Sequence, residues 1–364
     1  MTTVEGSLTR LALVMIARDE VRCIGRALDS ARPHVDEMIV LDTGSADDTV
    51  AIATAAGARV ERSVWRDDFA AARNAALAYS AADWNLILDA DEWIEGDGLA
   101  LGPSTLAAGG GGFLGLAQVV SAMGDGATAS LSSSWIARVL PRGVVYHGAI
   151  HEQPVSDLPQ VRLPLVIGHD GYLPESLARK GGRNEALLRA EIQAHPGDGY
   201  LWFQLAKEHQ ARNRTTEAAE CFVKALALTA ADEPYRHALV VRAITALKTA
   251  GRCQEAIALA NAEFESWPSS PDFFFAVGDL YLEWASLHPD QALSDHLPIV
   301  EFAWKKCLEI GEREDLDGAV AGRGSRMPAH NLAALYGTLG LKELEAKYAA
   351  LAAGFSDPPL ASRR

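Results

Sequence analysis

The chain has 364 residues, with 33 Lys plus Arg against 48 Asp plus Glu, for a formal net charge of −15. That length is expected to hold two domains, each able to bury its own core. The negative balance argues against a nucleic-acid surface, which needs clustered cations, and weakly against anionic lipid. Cys23, Cys221, Cys253 and Cys307 have no metal or redox spacing and are read as reduced and buried. Leu11 to Ala17 is too short for a membrane span and lacks the basic lead-in and cleavage site of a signal peptide. A cytoplasmic chain with no integral membrane segment is therefore expected.

In chain order, Leu11 to Ile16 reads as an apolar strand, followed by Ala17-Arg18-Asp19-Glu20 and a helix over 21–30. Glu37 to Leu41 predicts a second strand, which delivers Asp42-Thr43-Gly44-Ser45. Ser45 and Asp48 have capping-box spacing for a helix that runs to about Ala56 and stops at Gly57. A third strand begins at Arg59 to Glu61, and Asp67-Asp68 lead into a helix over 69–79. Trp84 to Leu88 is a fourth, buried strand. It ends in Asp89-Ala90-Asp91-Glu92, two carboxylates at i and i+2.

Strands alternating with helices imply a mainly parallel, Rossmann-like sheet, in which ligands bind beyond the carboxyl ends of the strands. Arg18-Asp19-Glu20, Asp42 and Asp89 to Asp91 all fall at those ends. Carboxylates suit a hard divalent cation, Mn²⁺ or Mg²⁺, that carries a diphosphate. No Walker loop and no strand-linked G-x-G-x-x-G is present. Gly109 to Gly112 reads as a surface loop without phosphate spacing.

These motifs together resemble family 2 glycosyltransferases of the GT-A fold. The resemblance rests on Leu13 to Glu20, Val35 to Thr49, Trp65, Asp68-Phe69, Ala72-Arg73-Asn74, and Asp89 to Glu92. It points to the bacterial branch fused to tetratricopeptide repeats. Asp19 departs from it, since many relatives carry Asn there. The resemblance implies a UDP-sugar donor held by Ala17, Arg18, Glu20, Asp42, Gly44, Arg73, Asn74, Asp89 and Ala90. It implies a metal at Asp89 and Asp91, with His169 as a late ligand. Asp42 would accept from the uracil N–H, Arg73 would offer a planar fork, and Asn74 would support Arg73. Read alone, Asp42 is equally a turn residue and Arg73 a partner of Asp68 on a solvated helix face.

The segment Arg138 to Arg142, then Tyr146 to Glu152, resembles the same branch. Inverting transfer needs a base near the acceptor. Glu152 is the first candidate and His151 its competitor, because side chains alternate along an extended segment. Both could instead position a loop. Arg138 or Arg142 is a candidate for neutralising the leaving diphosphate, and either is equally readable as a surface charge.

From about Pro174 the chain reads as helices with strands absent. Trp202, Leu205, Ala206, His209, Ala218, Phe222 and Ala225 fit the large-and-small pattern of a tetratricopeptide repeat, with Trp202 and Phe222 filling the gap between helices. Weaker copies carry Ala243, Leu247, Gly251 and Ala256, then Gly278, Tyr281, Trp304 and Cys307, then Leu332, Ala333, Tyr336 and Gly340. Such a stack offers a groove for a peptide or protein acceptor, a surface for self-association, or a brace. The expected organisation is a catalytic GT-A domain over 1–173, an all-α repeat domain over 174–354 and a flexible tail over 355–364. The reading is an inverting, metal-dependent hexosyltransferase. Its competitors are a non-catalytic repeat scaffold with a degenerate GT-A domain and a nucleotidyltransferase. The sugar, acceptor and oligomeric state stay open.

Overall fold

The computed structural model describes residues 9–97, 101–102, 105–106, 112–123, 130–170 and 182–355. Gly109 to Gly111 of the glycine run, Gly171-Tyr172 after His169, the expected boundary near Pro174 and the tail from 356 lie outside the described residues. The chain clusters into two units, one within residues 1–124 and 134–183, the other within 125–133 and 184–364.

The first unit is built on a mixed sheet. Its strands are β1 (Leu11–Ala17), β2 (Glu37–Asp42), β3 (Arg59–Arg62), β4 (Trp84–Ile87), β5 (Glu92–Glu95), β6 (Leu114–Met123), β7 (Ser130–Pro141) and β10 (Gln160–His169), in the order β3-β2-β1-β4-β7-β6-β10-β5. A separate ribbon pairs β8 (Val145–His147) with β9 (Gln153–Val155). Helices α1 (Ile24–Ala31), α2 (Thr49–Ala55) and α3 (Phe69–Leu77) connect the first four strands. The expected run of adjacent parallel strands is β3-β2-β1-β4. Beyond β4 the sheet is mixed, with β7 antiparallel to β4, β5 antiparallel to β10, and β10 parallel to β6.

Both faces of the sheet are covered, so the central strand β1 is apolar throughout. Leu11, Leu13 and Met15 of β1 pack with Ile24, Ala27 and Leu28 of α1. Ala12 and Val14 point the other way and pack with Ala70 and Ala76 of α3 and with Tyr146. The period of two along β1 thus divides one strand between two cores.

One local expectation changes. Ser45 and Asp48 form no capping box: α2 begins after Asp48 without a side-chain cap bond, and the Ser45 hydroxyl accepts instead from the Asp19 N–H at 2.9 Å. By contrast, Asp68 caps α3 as its position suggests, accepting from Ala71 N–H at 2.8 Å.

The second unit consists mainly of helices that pack as consecutive pairs, Gly199–Ala211 with Thr215–Leu228, Arg236–Thr249 with Cys253–Glu263, Pro271–Leu287 with Leu297–Ile310, and Arg326–Thr338 with Lys342–Gly354. Trp202 is not the residue between the first pair. It is half-buried, with its indole N–H on the Pro196 carbonyl. Phe203, one step of about 100° around the helix, is the buried ring, 6.1 Å from Phe222. Gly278 does lie against the buried Trp304, as its pattern predicts. Strands are not wholly absent here: Ala319–Val320 pairs with Ser133 and Ser132, anchored by the buried Asp272, which accepts from Val320 N–H at 3.0 Å. All four cysteines are free and buried. Among the described residues no helix is long and apolar enough to cross a membrane.

One close approach positions the edge of the sheet. Gly168 in β10 lies opposite Trp93 in β5, and a Cβ at Gly168 would overlap the indole. The same ring is covered by the Arg26 guanidinium, 3.7 Å from its centroid. Gly168→Ala is predicted to destabilise by about 1–3 kcal/mol through overpacking. The check is a lower urea midpoint at unchanged m-value, and a wild-type midpoint would mean that Trp93 can swing aside.

Candidate active site

The carboxyl ends of β1 and β2 are joined by side chains that answer each other's backbone. Ala17 and Asp42 are register partners, and Thr43 donates to the Ala17 carbonyl at 3.0 Å. Asp19 has φ +56°, a left-handed conformation that Asp tolerates better than most residues. Its N–H reaches Ser45 Oγ, and its carboxylate accepts from Ala46 N–H at 2.7 Å. Glu20 N–H donates to Thr49 Oγ1 at 2.8 Å. Asp42 is buried, and its carboxylate accepts from Gly44 and Ser45 N–H at 3.2 Å. It therefore shapes the turn, with Gly44 at φ +110°. Arg18 lies half-exposed at this edge, 3.7 Å from Asp19.

Beyond β4 a buried ionic cluster forms. Arg73 on α3 is 3% exposed, so it is no solvated partner of Asp68. Its Nε donates to Glu152 Oε1 at 2.7 Å and its Nη2 to Asp89 Oδ1 at 2.8 Å. Arg138 on β7, also buried, bonds Asp89 Oδ2 at 3.0 Å and closely contacts Glu92 Oε1. Both Asp89 oxygens are thus committed to guanidinium groups. Burial disfavours charge on Arg73, but Glu152 and Asp89 outweigh it and hold the guanidinium well above its ordinary pKa. Burial likewise works against ionised Asp89, and Arg138 and Arg73 overcome it, leaving this carboxyl far below the usual range. For Glu92 burial prevails over Arg138, and its pKa rises. Arg73 Nη1 and Arg138 Nε are buried without a hydrogen-bond partner among the described residues.

Glu152 reaches this cluster from the β8–β9 ribbon, which α3 clamps. Phe69 N–H donates to the Ala149 carbonyl at 2.8 Å. Asn74 spends both ends of its amide on the Tyr146 backbone, at 2.9 and 2.8 Å. It therefore registers the ribbon rather than supporting Arg73 directly or facing a ligand. Tyr146 lies under Arg73, with the guanidinium carbon 5.2 Å from its ring centroid. Burial pushes its phenol up to about 12 despite Arg73 and Arg138. His151 has φ +51°, so His151-Glu152 is not the extended pair that simple alternation assumed. Glu152 Oε1 is the oxygen that Arg73 holds.

The third group is Asp91 with His169. His169 Nε2 lies 3.7 Å from Asp91 Oδ2, and both side chains are largely buried. Two ligands each about 2.1–2.2 Å from one ion fall within about 4.4 Å of each other, so this carboxylate–imidazole pair fits Mn²⁺ better than Mg²⁺. Among the described residues no group of three or more potential ligands converges. Remaining positions would fall to diphosphate and water. Ala90 between the two aspartates is buried in the core, so its methyl is not a ligand contact.

Of the two arginine candidates, Arg138 enters the site. Arg142 lies at the opposite end of β4, because Trp84 pairs with Pro141, and it donates to the Ala82 carbonyl. Several participants went unread in the sequence. Asp170 is held by Arg22, at 2.8 and 2.9 Å, and by Arg26 at 2.7 Å. Burial opposes its ionisation, yet the two arginines lower its pKa. Their i, i+4 spacing, from just before α1 into its first turn, was the available signal. Glu92 and Tyr146 sat inside the quoted motifs but were given no role, and Ser121 carried no signal, because long-range pairing places it.

Residues 12–102 match Glycosyl transferase family 2. The match includes Ala17 through Asp91 and stops before Arg138, Glu152 and His169. A TPR repeat-containing protein of Synechococcus elongatus is 53% identical over 87 residues, 24% of this chain and 22% of that one. The SPbeta prophage-derived glycosyltransferase SunS of Bacillus subtilis is 27% identical over 223 residues, 58% of this chain and 52% of that one. The chain thus spans about half or less of these relatives' own lengths. Mycobacterium tuberculosis glucosyl-3-phosphoglycerate synthase, solved with Mn²⁺ and UDP-glucose, aligns at 29% identity and a TM-score of 0.26, covering 31% of this chain and 44% of that one. By this match, residues 12–102 of the amino-terminal unit are similar to the glycosyl transferase family 2 domain.

Proposed function

We propose that this chain is an inverting hexosyltransferase that moves a sugar from a UDP-sugar to an acceptor hydroxyl or thiol. The observation that carries the reading is Arg73, which joins Asp89 at the end of β4 to Glu152 on a ribbon far away in sequence. Donor-side and acceptor-side groups then share one charged centre. We assign 1–173 to catalysis and 174–354 to a tetratricopeptide-like platform for a peptide or protein acceptor.

In this assignment the clasped β1 and β2 loops hold the nucleoside. Asp42 defines the turn whose backbone lines the base, and Arg18 stands at the open rim. Asp91 and His169 hold the cation, which when bound acts as a Lewis acid on the diphosphate. Arg73 and Arg138 keep Asp89 ionised, and Arg73 holds Glu152 in place, in a low-dielectric setting where fixed charges act strongly. Glu152 Oε2 takes the acceptor proton as the acceptor atom bonds to the anomeric carbon. The bond from that carbon to the diphosphate oxygen breaks, and its electron pair leaves with UDP. His151 remains the alternative base.

UDP with Mn²⁺ is expected to raise the melting temperature, and Asp91→Ala to abolish the metal-dependent part of that shift. No shift with any nucleoside diphosphate would favour a scaffold with a degenerate catalytic domain. Glu152→Gln is expected to keep the UDP shift and to slow transfer by about 10²–10⁴-fold, measured as sugar release from the donor. Full turnover in that variant would transfer the role of base to His151.

A further inference from the structure

His169 is the last residue of β10, a strand flanked by β6 and β5. Sheet register sets its neighbours: Ser121 on one side and Glu92 on the other. The adjoining Asp170 N–H donates to the Asp91 carbonyl at 3.3 Å, which ties the end of β10 to the turn before β5. Within this frame the imidazole has two distinct faces. Nδ1 is 2.9 Å from Ser121 Oγ, and Nε2 is 3.7 Å from Asp91 Oδ2.

We propose that Ser121 is a positioning residue for the cation site: it accepts a hydrogen bond from His169 Nδ1–H and so turns the Nε2 lone pair toward the space beside Asp91. The proposal rests on the reading of Asp91 and His169 as cation ligands. The distances select the tautomer. A proton on Nε2 facing Asp91 would draw the carboxylate to about 2.8 Å, whereas 3.7 Å exceeds hydrogen-bond length. The Ser121 contact at 2.9 Å is within hydrogen-bond length, so the proposal places the ring proton on Nδ1. A serine hydroxyl can accept there and still donate elsewhere. Asp170, the nearest carboxylate in sequence, does not compete for the ring, because Arg22 and Arg26 engage both of its oxygens. Histidine ligands commonly have their second nitrogen anchored in this way, which fixes ring plane and tautomer together.

The test uses the full chain with UDP, titrated with Mn²⁺ by calorimetry, and ¹⁵N NMR of the imidazoles with His169 assigned by its loss in His169→Gln. Ser121→Ala should weaken Mn²⁺ about 10–100-fold, leave the metal-free melting temperature near wild type, and move His169 off the Nδ1–H tautomer. Ser121→Thr, which keeps the hydroxyl, should restore both readouts. Wild-type Mn²⁺ affinity in Ser121→Ala, alongside lost affinity in Asp91→Ala, would overturn the role of Ser121 while sparing the cation site. Weakened affinity with an unchanged His169 tautomer would also overturn it. Wild-type Mn²⁺ affinity in Asp91→Ala would overturn the site itself and the proposal with it.

Discussion

A guanidinium cannot be buried without partners, and Arg73 is buried. Breaking such a pair typically costs about 3–5 kcal/mol, so the groups around Arg73 are not interchangeable decoration. Asp89 and Glu152 must both reach it, and they come from segments that no local pattern connects. That requirement fixes where the β8–β9 ribbon docks, why α3 grips the Tyr146 backbone through Asn74, and why Arg138 must approach Asp89 from the other side. Arg73, Arg138, Asp89, Glu92 and Glu152 then form one unit whose members lose their meaning singly.

The sheet supplies the rest of the placement. Parallel pairing of β1 with β2 and β4 brings Ala17, Asp42 and Asp89 to one edge. The mixed half of the sheet then adds Arg138 from β7 and His169 from β10. A ligand at that edge would meet groups delivered by strands of both directions. Only the first half of this arrangement lies within the residues that match the family, although the ionic cluster and the Asp91–His169 pair draw on both halves.

The alternation of strands and helices up to Trp84, the carboxylates after β4 and the helical second half could be read directly, because each leaves a periodic or punctuated trace. Gly278 against Trp304 was legible for the same reason. What escaped was long-range. Asn74 looks like a polar helix residue until β8 lies beside it. Ser121 is an unremarked serine until register sets it opposite His169. The Ser45–Asp48 spacing suggested a cap, yet Asp19 claimed the hydroxyl from another loop. Trp202 and Phe203 differ by a single helical step, and composition cannot say which of two adjacent rings turns inward.

Asp19 carries a consequence for anyone reshaping this edge of the sheet. Its left-handed backbone and paired bonds sew two connections into a single patch, so neither can be exchanged alone without unpicking the other. Chimeras cut at this edge would have to transplant both connections together, as a matched set.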